Sequence, residues 1–362
     1  MCAVFGILGS YEEGMARAAL GRLTHRGPDF CGIVQGQNLF FAHQLLSIME
    51  TTSASNQPLS HEKILLSFNG EIYNFKELYE ELKEGFAFTS GNEGEVLIAA
   101  YLKWGVEFVA HLRGMFAIAL LDDETLYLFR DRLGKKPLFY LHNNAFIFAS
   151  EIKALLPFLH KTEMDGDALL SYLSFLAPTP PFTFFKGIKK LGAGEYLVYK
   201  NGVYEVKRYF DLLDAKPNLI TDKEEAVFRV REMLEESINM RLNADAPLAS
   251  LLSGGIDSAA INAYALKSGA NLQTYTLGYK EFAKYDERQN AKESARLLGV
   301  KNREVVIGQE EFLEASERVL DTLDEPLNDP AAVPLYLLFE QIKKDGYRVV
   351  LSGEGSDELF LG

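Results

Sequence analysis

From residue 247 onward, short apolar runs without polar alternation take turns with helical stretches. PLASLL passes through SGGIDS into AAINAYALKSG, LQTYTLGY precedes DERQNAKESARLLG, and REVVI is followed, two helical stretches later, by RVVLSGEGSDELF. A strand that is apolar on both faces must be covered on both, so this alternation predicts a parallel sheet with helices on either side, an α/β domain. Before about residue 205 the pattern is different. CAVFGILG, LLSFNGEIYN, GMFAIALLD, TLYLFRD, KPLFYLH and AFIFAS read as strands rich in aromatic and β-branched residues, with helix candidates at 75–84 and 95–105 between them. That mixture predicts an α+β layer domain. A chain of 362 residues is too long for one ordinary core, and the change in pattern divides it into 1–208 and 209–362.

Two local signals sharpen the outline. Asn201–Gly202 between YLVYK and VYEVKR predicts a hairpin turn. TDKEEAVFRVREMLEESINMRL (221–242) predicts a helix opened by a capping box of Thr221 and Glu224, with Val227, Val230, Leu234, Ile238 and Leu242 on its buried face.

Composition narrows the function. A formal net charge of −14 argues against nucleic acid as a partner. The start has no basic region before an apolar core, and LLSYLSFLAPTPPFTFF (169–185) is interrupted by Pro178, Pro180 and Pro181. No membrane partner is expected, and a cytoplasmic location is. Two cysteines fit a reducing compartment, and Cys31 reads as a small buried hydrophobe. Six scattered histidines form no zinc-binding pattern.

Three stretches carry chemistry. In LASLLSGGIDSAAI, Ser253, Gly254, Gly255 and Ser258 leave uncrowded amides at a helix N-terminus, which suits a phosphate. Asp257 would repel that phosphate unless a cation lies between them, so it implies Mg²⁺. The lysine of a Walker A loop is missing. RVVLSGEGSDELFLG repeats the design with Ser352, Gly353 and Asp357, and in a parallel sheet both loops emerge at the carboxyl edge where ligands bind. Asp357 could share the metal with Asp257, and Glu354 is a candidate base or orienting group near the same phosphates. The third stretch is the start, MCAVFGILGS. Removal of Met1 would leave Cys2 with a thiol and a free α-amino group, a nucleophile with a base attached.

SGGIDS resembles the pyrophosphate loop of the ATP pyrophosphatases. Together with Cys2, HRGPD (25–29), FNGEIYN (68–74), RDRLGKKPLFY (130–140), FASEIKAL (148–155) and SGEGSDELF (352–360), the chain resembles glutamine-hydrolysing asparagine synthetases from end to end. The resemblance implies an N-terminal-nucleophile hydrolase domain of αββα type followed by an adenine-nucleotide domain. It implies that Cys2 attacks the side-chain amide of glutamine, with Asn69 and the Gly70 amide as oxyanion hole. Ammonia would then displace AMP from a β-aspartyl adenylate made from ATP and aspartate. Leu251, Ser253, Leu277, Ser352 and Gly353 match nucleotide-cradling positions, although Leu251 and Leu277 fit plain core equally well. A homodimer is left open. The same motifs would serve another acceptor carboxylate, such as a sugar acid, or a non-catalytic nucleotide-binding partner.

The chain also departs from the family pattern. Leu45 in AHQLLSI stands where an arginine usually meets the glutamine α-carboxylate, and Glu93 in GNEGEV stands where an aspartate meets the α-amino group. Arg26 is a candidate replacement cation, with ordering of the HRGPD loop as its other role. Lys135 and Lys136 read as a solvated turn, with a place facing the interdomain channel as the lesser alternative. The chain stops at Gly362, soon after the second loop, so the second domain is expected to be incomplete.

Overall fold

The computed structural model describes every residue except 49–55, 243–245, 282–283, 285 and 361–362. It divides into two compact units, Met1–Pro217 and Asn218–Gly362.

The first unit holds two antiparallel sheets. One comprises β1 (Ala3–Gly9), β2 (Phe30–Gly36), β3 (Leu39–Leu45), β8 (Phe139–His142), β9 (Ala145–Ala149) and β10 (Ile188–Lys190) in the order β10-β8-β9-β1-β3-β2. The other comprises β4 (Leu59–His61), β5 (Ile64–Ile72), β6 (Gly114–Asp122), β7 (Thr125–Arg130), β11 (Glu195–Lys200) and β12 (Val203–Arg208) in the order β12-β11-β7-β6-β5-β4. Strand alternation sorts the side chains into layers. In β1, Ala3, Phe5 and Ile7 face outward onto α1 (Glu13–Gly21) through Ala16, Ala19 and Leu20. Val4 faces inward and shares the central layer with Ala117, Ala119 and Leu121 of β6. Phe116, Ile118 and Leu120 of β6 face the other way, onto α2 (Phe75–Leu82) and α3 (Glu93–Trp104). Two short helices, α4 (Phe108–His111) and α5 (Gly166–Phe175), complete the unit among the described residues. This is the four-layer αββα arrangement expected for the first domain.

Gly6 shows why the inner layer needs a residue without a side chain. A Cβ there would lie 2.3 Å from the Phe148 ring, which fills the space between the sheets. The hairpin at Asn201–Gly202 forms with φ of 52° and 78°, as its sequence requires.

The second unit is a parallel sheet of β13 (Leu248–Leu251), β14 (Leu272–Tyr279), β15 (Asn302–Ile307) and β16 (Val349–Leu351), ordered β15-β14-β13-β16. Around it lie α6 (Lys223–Arg241), α7 (Ile256–Lys267), α8 (Arg288–Leu298), α9 (Gln309–Thr322), α10 (Ala332–Lys344) and α11 (Ser356–Phe360). The expected α/β domain is present, with two corrections in α6. Its N-cap is Asp222, which accepts from the Glu225 amide at 2.7 Å, rather than Thr221. Of its apolar stripe only Ile238 is buried outright; Leu234 and Leu242 pack at its edge, while Val227 and Val230 are each 42% exposed. Periodicity marks the apolar face of a helix, and cover for that face must come from elsewhere in the chain.

Candidate functional site

In the first unit, β1 delivers Cys2 to a cavity of about 80 Å³ lined also by Leu45, Gly70, Glu71 and Glu93. The Leu46 amide donates to Cys2 Sγ at 3.4 Å, a contact that favours the thiolate. Burial pushes the thiol pKa up, and the Leu46 amide and the terminal amine oppose it. That amine, here on Met1, is brought down to about 6, chiefly by burial.

Asn69 and Gly70 lie next to each other on β5. Asn69 is 1% exposed, and its Nδ2 has no hydrogen-bond partner among the described residues. A buried amide donor left unpaired costs about 1–3 kcal/mol. Gly70 has no room for a side chain, since a Cβ would lie 2.1 Å from the Met115 carbonyl oxygen.

Two carboxyl groups meet in the cavity. Glu93, at the start of α3, accepts from the Ile72 amide at 2.8 Å. Burial first, and then the neighbouring Glu71, hold its pKa well above the usual carboxylate range. Burial likewise raises Glu71 to about 7, and Lys136 opposes the rise. Lys136 is the largest surprise of the site: it is 7% exposed and therefore no solvated turn, although Lys135 is exposed as expected. The loop before it is fixed by Asp131, whose carboxylate accepts from the amides of Leu133, Lys135 and Lys136. Arg130 adds bonds to the Lys136 and Gly134 carbonyls. The RDRLGKKP motif thus builds a scaffold that presents Lys136 inward, toward Glu71 and Cys2.

Arg26 takes the ordering role. Its Nε donates to the Cys2 carbonyl at 3.0 Å and its Nη1 pairs with Glu151 at 2.8 Å. The Glu151 carboxyl is held down at about 2 against the opposing effect of burial, by bonds from His25 and Arg26. HRGPD and FASEIKAL are therefore one device that clamps the chain at Cys2. Cys31 is exposed on the edge strand β2, against the expectation of burial.

In the second unit, β13 pairs with β16 in parallel, Ser250 opposite Leu351, so both Ser-Gly loops leave the same sheet edge side by side. Gly353 packs so closely on the first loop that a Cβ would lie 3.2 Å from the Ser258 nitrogen and 3.4 Å from Asp257 Cβ. Gly254 is compelled by α8, because a Cβ there would lie 2.3 Å from Asn290 Cβ. Gly255 caps α7 with its backbone alone. Ser253 and Ser258 share a hydroxyl contact of 2.8 Å, and Ser258 Oγ also accepts from the Ser253 amide at 3.1 Å. Ser352 follows β16 directly, Glu354 is exposed in the turn, and Asp357 is exposed at the start of α11. Leu251 and Leu277 are half-buried and pack against the cluster of Tyr275, Leu338 and Ile342. No cluster of three metal-ligating side chains occurs among the described residues. Magnesium needs fewer: one or two carboxylates plus phosphate oxygens suffice, and the juxtaposed Asp257 and Asp357 loops fit that requirement.

The first unit thus holds Cys2 clamped by Arg26 and opening into an acid-lined cavity on an αββα scaffold. The chain belongs to the glutamine amidotransferase domain family, which matches residues 1–210. Residues 229–362 match the asparagine synthase family. Among curated relatives, the glutamine-hydrolysing asparagine synthetase 1 of Bacillus subtilis (strain 168) is 36% identical over 100% of this chain and 59% of its own. Asparagine synthetase B of Escherichia coli (strain K12) is 34% identical over 100% of this chain and 64% of its own. The chain thus spans about three fifths of the length of the curated relatives it matches. Among solved structures, the allosteric regulatory enzyme of purine biosynthesis aligns with 84% of this chain and 80% of its own, at 16% identity and a TM-score of 0.46.

Proposed function

We propose that this chain is the glutamine-hydrolysing and nucleotide-binding part of an ATP-dependent amidotransferase of the asparagine synthetase type. The observation that carries the proposal is the cavity that Cys2 lines together with Gly70, Glu71 and Glu93, with the buried, unpartnered Asn69 amide next to Gly70 on β5. Residues 1–208 act as the glutaminase domain and 209–362 as the synthetase domain.

Removal of Met1 moves the free amine onto Cys2. That amine, whose ordinary pKa is about 7.7–8.0, accepts the thiol proton. Sγ attacks the side-chain amide carbon of the donor. The negative charge that grows on the carbonyl oxygen is met by Asn69 Nδ2 and the Gly70 amide, donors already in place. Glu93 holds the donor's α-amino group. The carbon–nitrogen bond breaks, ammonia leaves, and water cleaves the thioester to restore the thiol.

In the second unit, the amides of Gly254, Gly255 and Ser258 and the hydroxyls of Ser253, Ser258 and Ser352 bind the ATP phosphates, with Gly353 giving close backbone approach. Leu251 and Leu277 back the adenosine side from the core. Asp257 and Asp357 would hold Mg²⁺, which neutralises phosphate charge when bound. Glu354 orients groups at the same edge. The acceptor is the β-carboxylate of aspartate, activated as an adenylate and displaced by ammonia. Substrates are small molecules, and neither nucleic acid nor membrane takes part. No helix among the described residues is long and apolar enough to cross a membrane, and we place the protein in the cytoplasm. A homodimer is compatible with this reading.

Protein carrying this chain, supplied with aspartate, Mg-ATP and glutamine, should yield asparagine, AMP and pyrophosphate. Cys2→Ala should abolish the glutamine-driven reaction and leave the ammonia-driven one intact. Formation of ADP and phosphate would overturn the scheme, and pyrophosphate release with a different carboxylic acid would reassign the acceptor.

A further inference from the structure

The loop that buries Lys136 fixes its backbone and leaves its ammonium unsatisfied. The Lys136 amide donates to Asp131 Oδ2 at 2.9 Å, and its carbonyl accepts from Arg130 Nε at 2.9 Å. The same Asp131 Oδ2 accepts from the Phe116 amide at 3.3 Å, and Phe116 stands opposite Gly70 in the pairing of β5 with β6. One carboxylate oxygen therefore ties the loop to the strand beside Gly70. The Lys136 side chain is 7% exposed, and its ammonium makes no hydrogen bond or ion pair among the described residues.

A buried ammonium is costly unless an opposite charge answers it. Asp131 is already engaged, since it also accepts from the amides of Leu133 and Lys135. The other groups facing Lys136 are Arg26, Glu71 on β5, and Cys2 with the terminal amine before β1. Glu93 stands next in line, beside Glu71. Arg26 is a like charge, committed to Glu151 and the Cys2 carbonyl. That leaves Glu71 and Cys2, each of which becomes an anion on losing its proton. We propose that Lys136 is a positioning residue for amide cleavage, whose fixed, unpaired ammonium is the counter-charge for the Cys2 thiolate and for an ionised Glu71. It exchanges no proton and forms no bond in the reaction.

This inference rests on Cys2 being the amide-cleaving nucleophile. A nearby positive charge disfavours the protonated forms of thiol, carboxyl and amine alike, so its removal moves all three titrations to higher pH.

The test follows two quantities against pH on the amine-processed protein. One is kcat/KM for glutamine hydrolysis. The other is the rate at which iodoacetamide alkylates Cys2, with peptide mapping to resolve it from the exposed Cys31. Lys136→Met and Lys136→Gln should each move the acid-side midpoint of both profiles up by about one pH unit. Lys136→Arg keeps the charge and should leave the midpoints in place. Either neutral variant decides the matter if the other does not fold. Lower rates with unmoved alkylation midpoints would make Lys136 a packing residue and overturn the inference, as would an equal shift in Lys136→Arg. Alkylation needs no turnover, so absence of glutamine hydrolysis in the unaltered protein would overturn the proposed function while the alkylation midpoints still settle the role of Lys136.

Discussion

The cavity beside Cys2 and the paired loops of the second unit handle their polar groups in opposite ways. In the first, groups are held short of satisfaction. Two carboxyls are crowded together out of water, and next to Gly70 on β5 Asn69 Nδ2 lacks a partner among the described residues. In the second, the loop satisfies itself: Ser253 and Ser258 bond to each other and to loop amides, while Asp357 stays in solvent. The first site carries the cost of its chemistry in the folded state, as preorganised catalytic sites do. On the proposed reading, an anion and a cation would replace those internal bonds at the second. Mutations should therefore separate function from stability at the first site in a way they do not at the second.

The largest expected effect is at Asn69. Asn69→Ala should lower kcat for amide hydrolysis by about 10²–10³-fold, the range seen when one oxyanion donor is removed. Folding stability should change by less than about 1 kcal/mol, because the lost amide had no partner to lose. Assays of ammonia release and urea denaturation measure the two quantities. A parallel fall in both would make Asn69 a structural residue and erase the contrast.

Next comes the pH dependence at Glu71. Burial raises its carboxyl to about 7, so the folded protein keeps a proton that the unfolded chain has already lost. The stabilising contribution is full below the unfolded value, near 4.3, and is lost as pH rises through 7. Glu71→Gln cannot ionise and escapes that loss. Its stability relative to the parent should rise between pH 4.5 and 7 by at most about 3 kcal/mol, then level off. Thermal midpoints across that range test it. A flat difference would show that Glu71 is ionised throughout and that the cavity is less acid-crowded than its lining suggests.

The second unit should respond by losing stability and binding together. In Gly254→Ala the new Cβ would overlap Asn290 Cβ, 2.3 Å away on α8, so the helix must shift. A cost of about 1–3 kcal/mol is expected, with weaker ATP binding because the loop moves with it. Denaturation and calorimetric titration with nucleotide should fall together; loss of only one would break the comparison.

What the sequence conveyed follows the same division. SGGIDS and SGEGSD were legible because their chemistry lies in consecutive residues, and the apolar strands before them specify a parallel sheet that sets them on one edge. Cys2, Asn69 and Gly70 could be placed through the family resemblance. The acid crowding could not: Glu71 is one carboxylate within NGEIYN, and nothing local says that β5 turns it toward Glu93. Lys136 was misjudged because KK in a turn usually lies in water, whereas its burial depends on Asp131 and Arg130 holding the loop inward. Cys31 was misjudged for the converse reason, since its residue type favours burial but an edge strand leaves one side open. In α6 the spacing located the apolar face correctly and said nothing of its cover.

The smallest effect should be the most discriminating. A Cβ at Gly353 would stand 3.2 Å from the Ser258 nitrogen, tight but relieved by a shift of a few tenths of an ångström. Gly353→Ala should therefore leave stability within about 0.5 kcal/mol of the parent. The same methyl group would occupy the approach to the Ser258 N–H, one of the first-turn amides of α7 that no helical carbonyl can satisfy. A phosphate oxygen bound there would be displaced, and ATP affinity should fall about tenfold, equivalent to about 1.4 kcal/mol. Calorimetric titration with Mg-ATP, set against the denaturation midpoint, isolates the effect. Unchanged affinity would mean that the anion does not reach the floor between the two loops, and that the pairing of β13 with β16 serves the sheet alone.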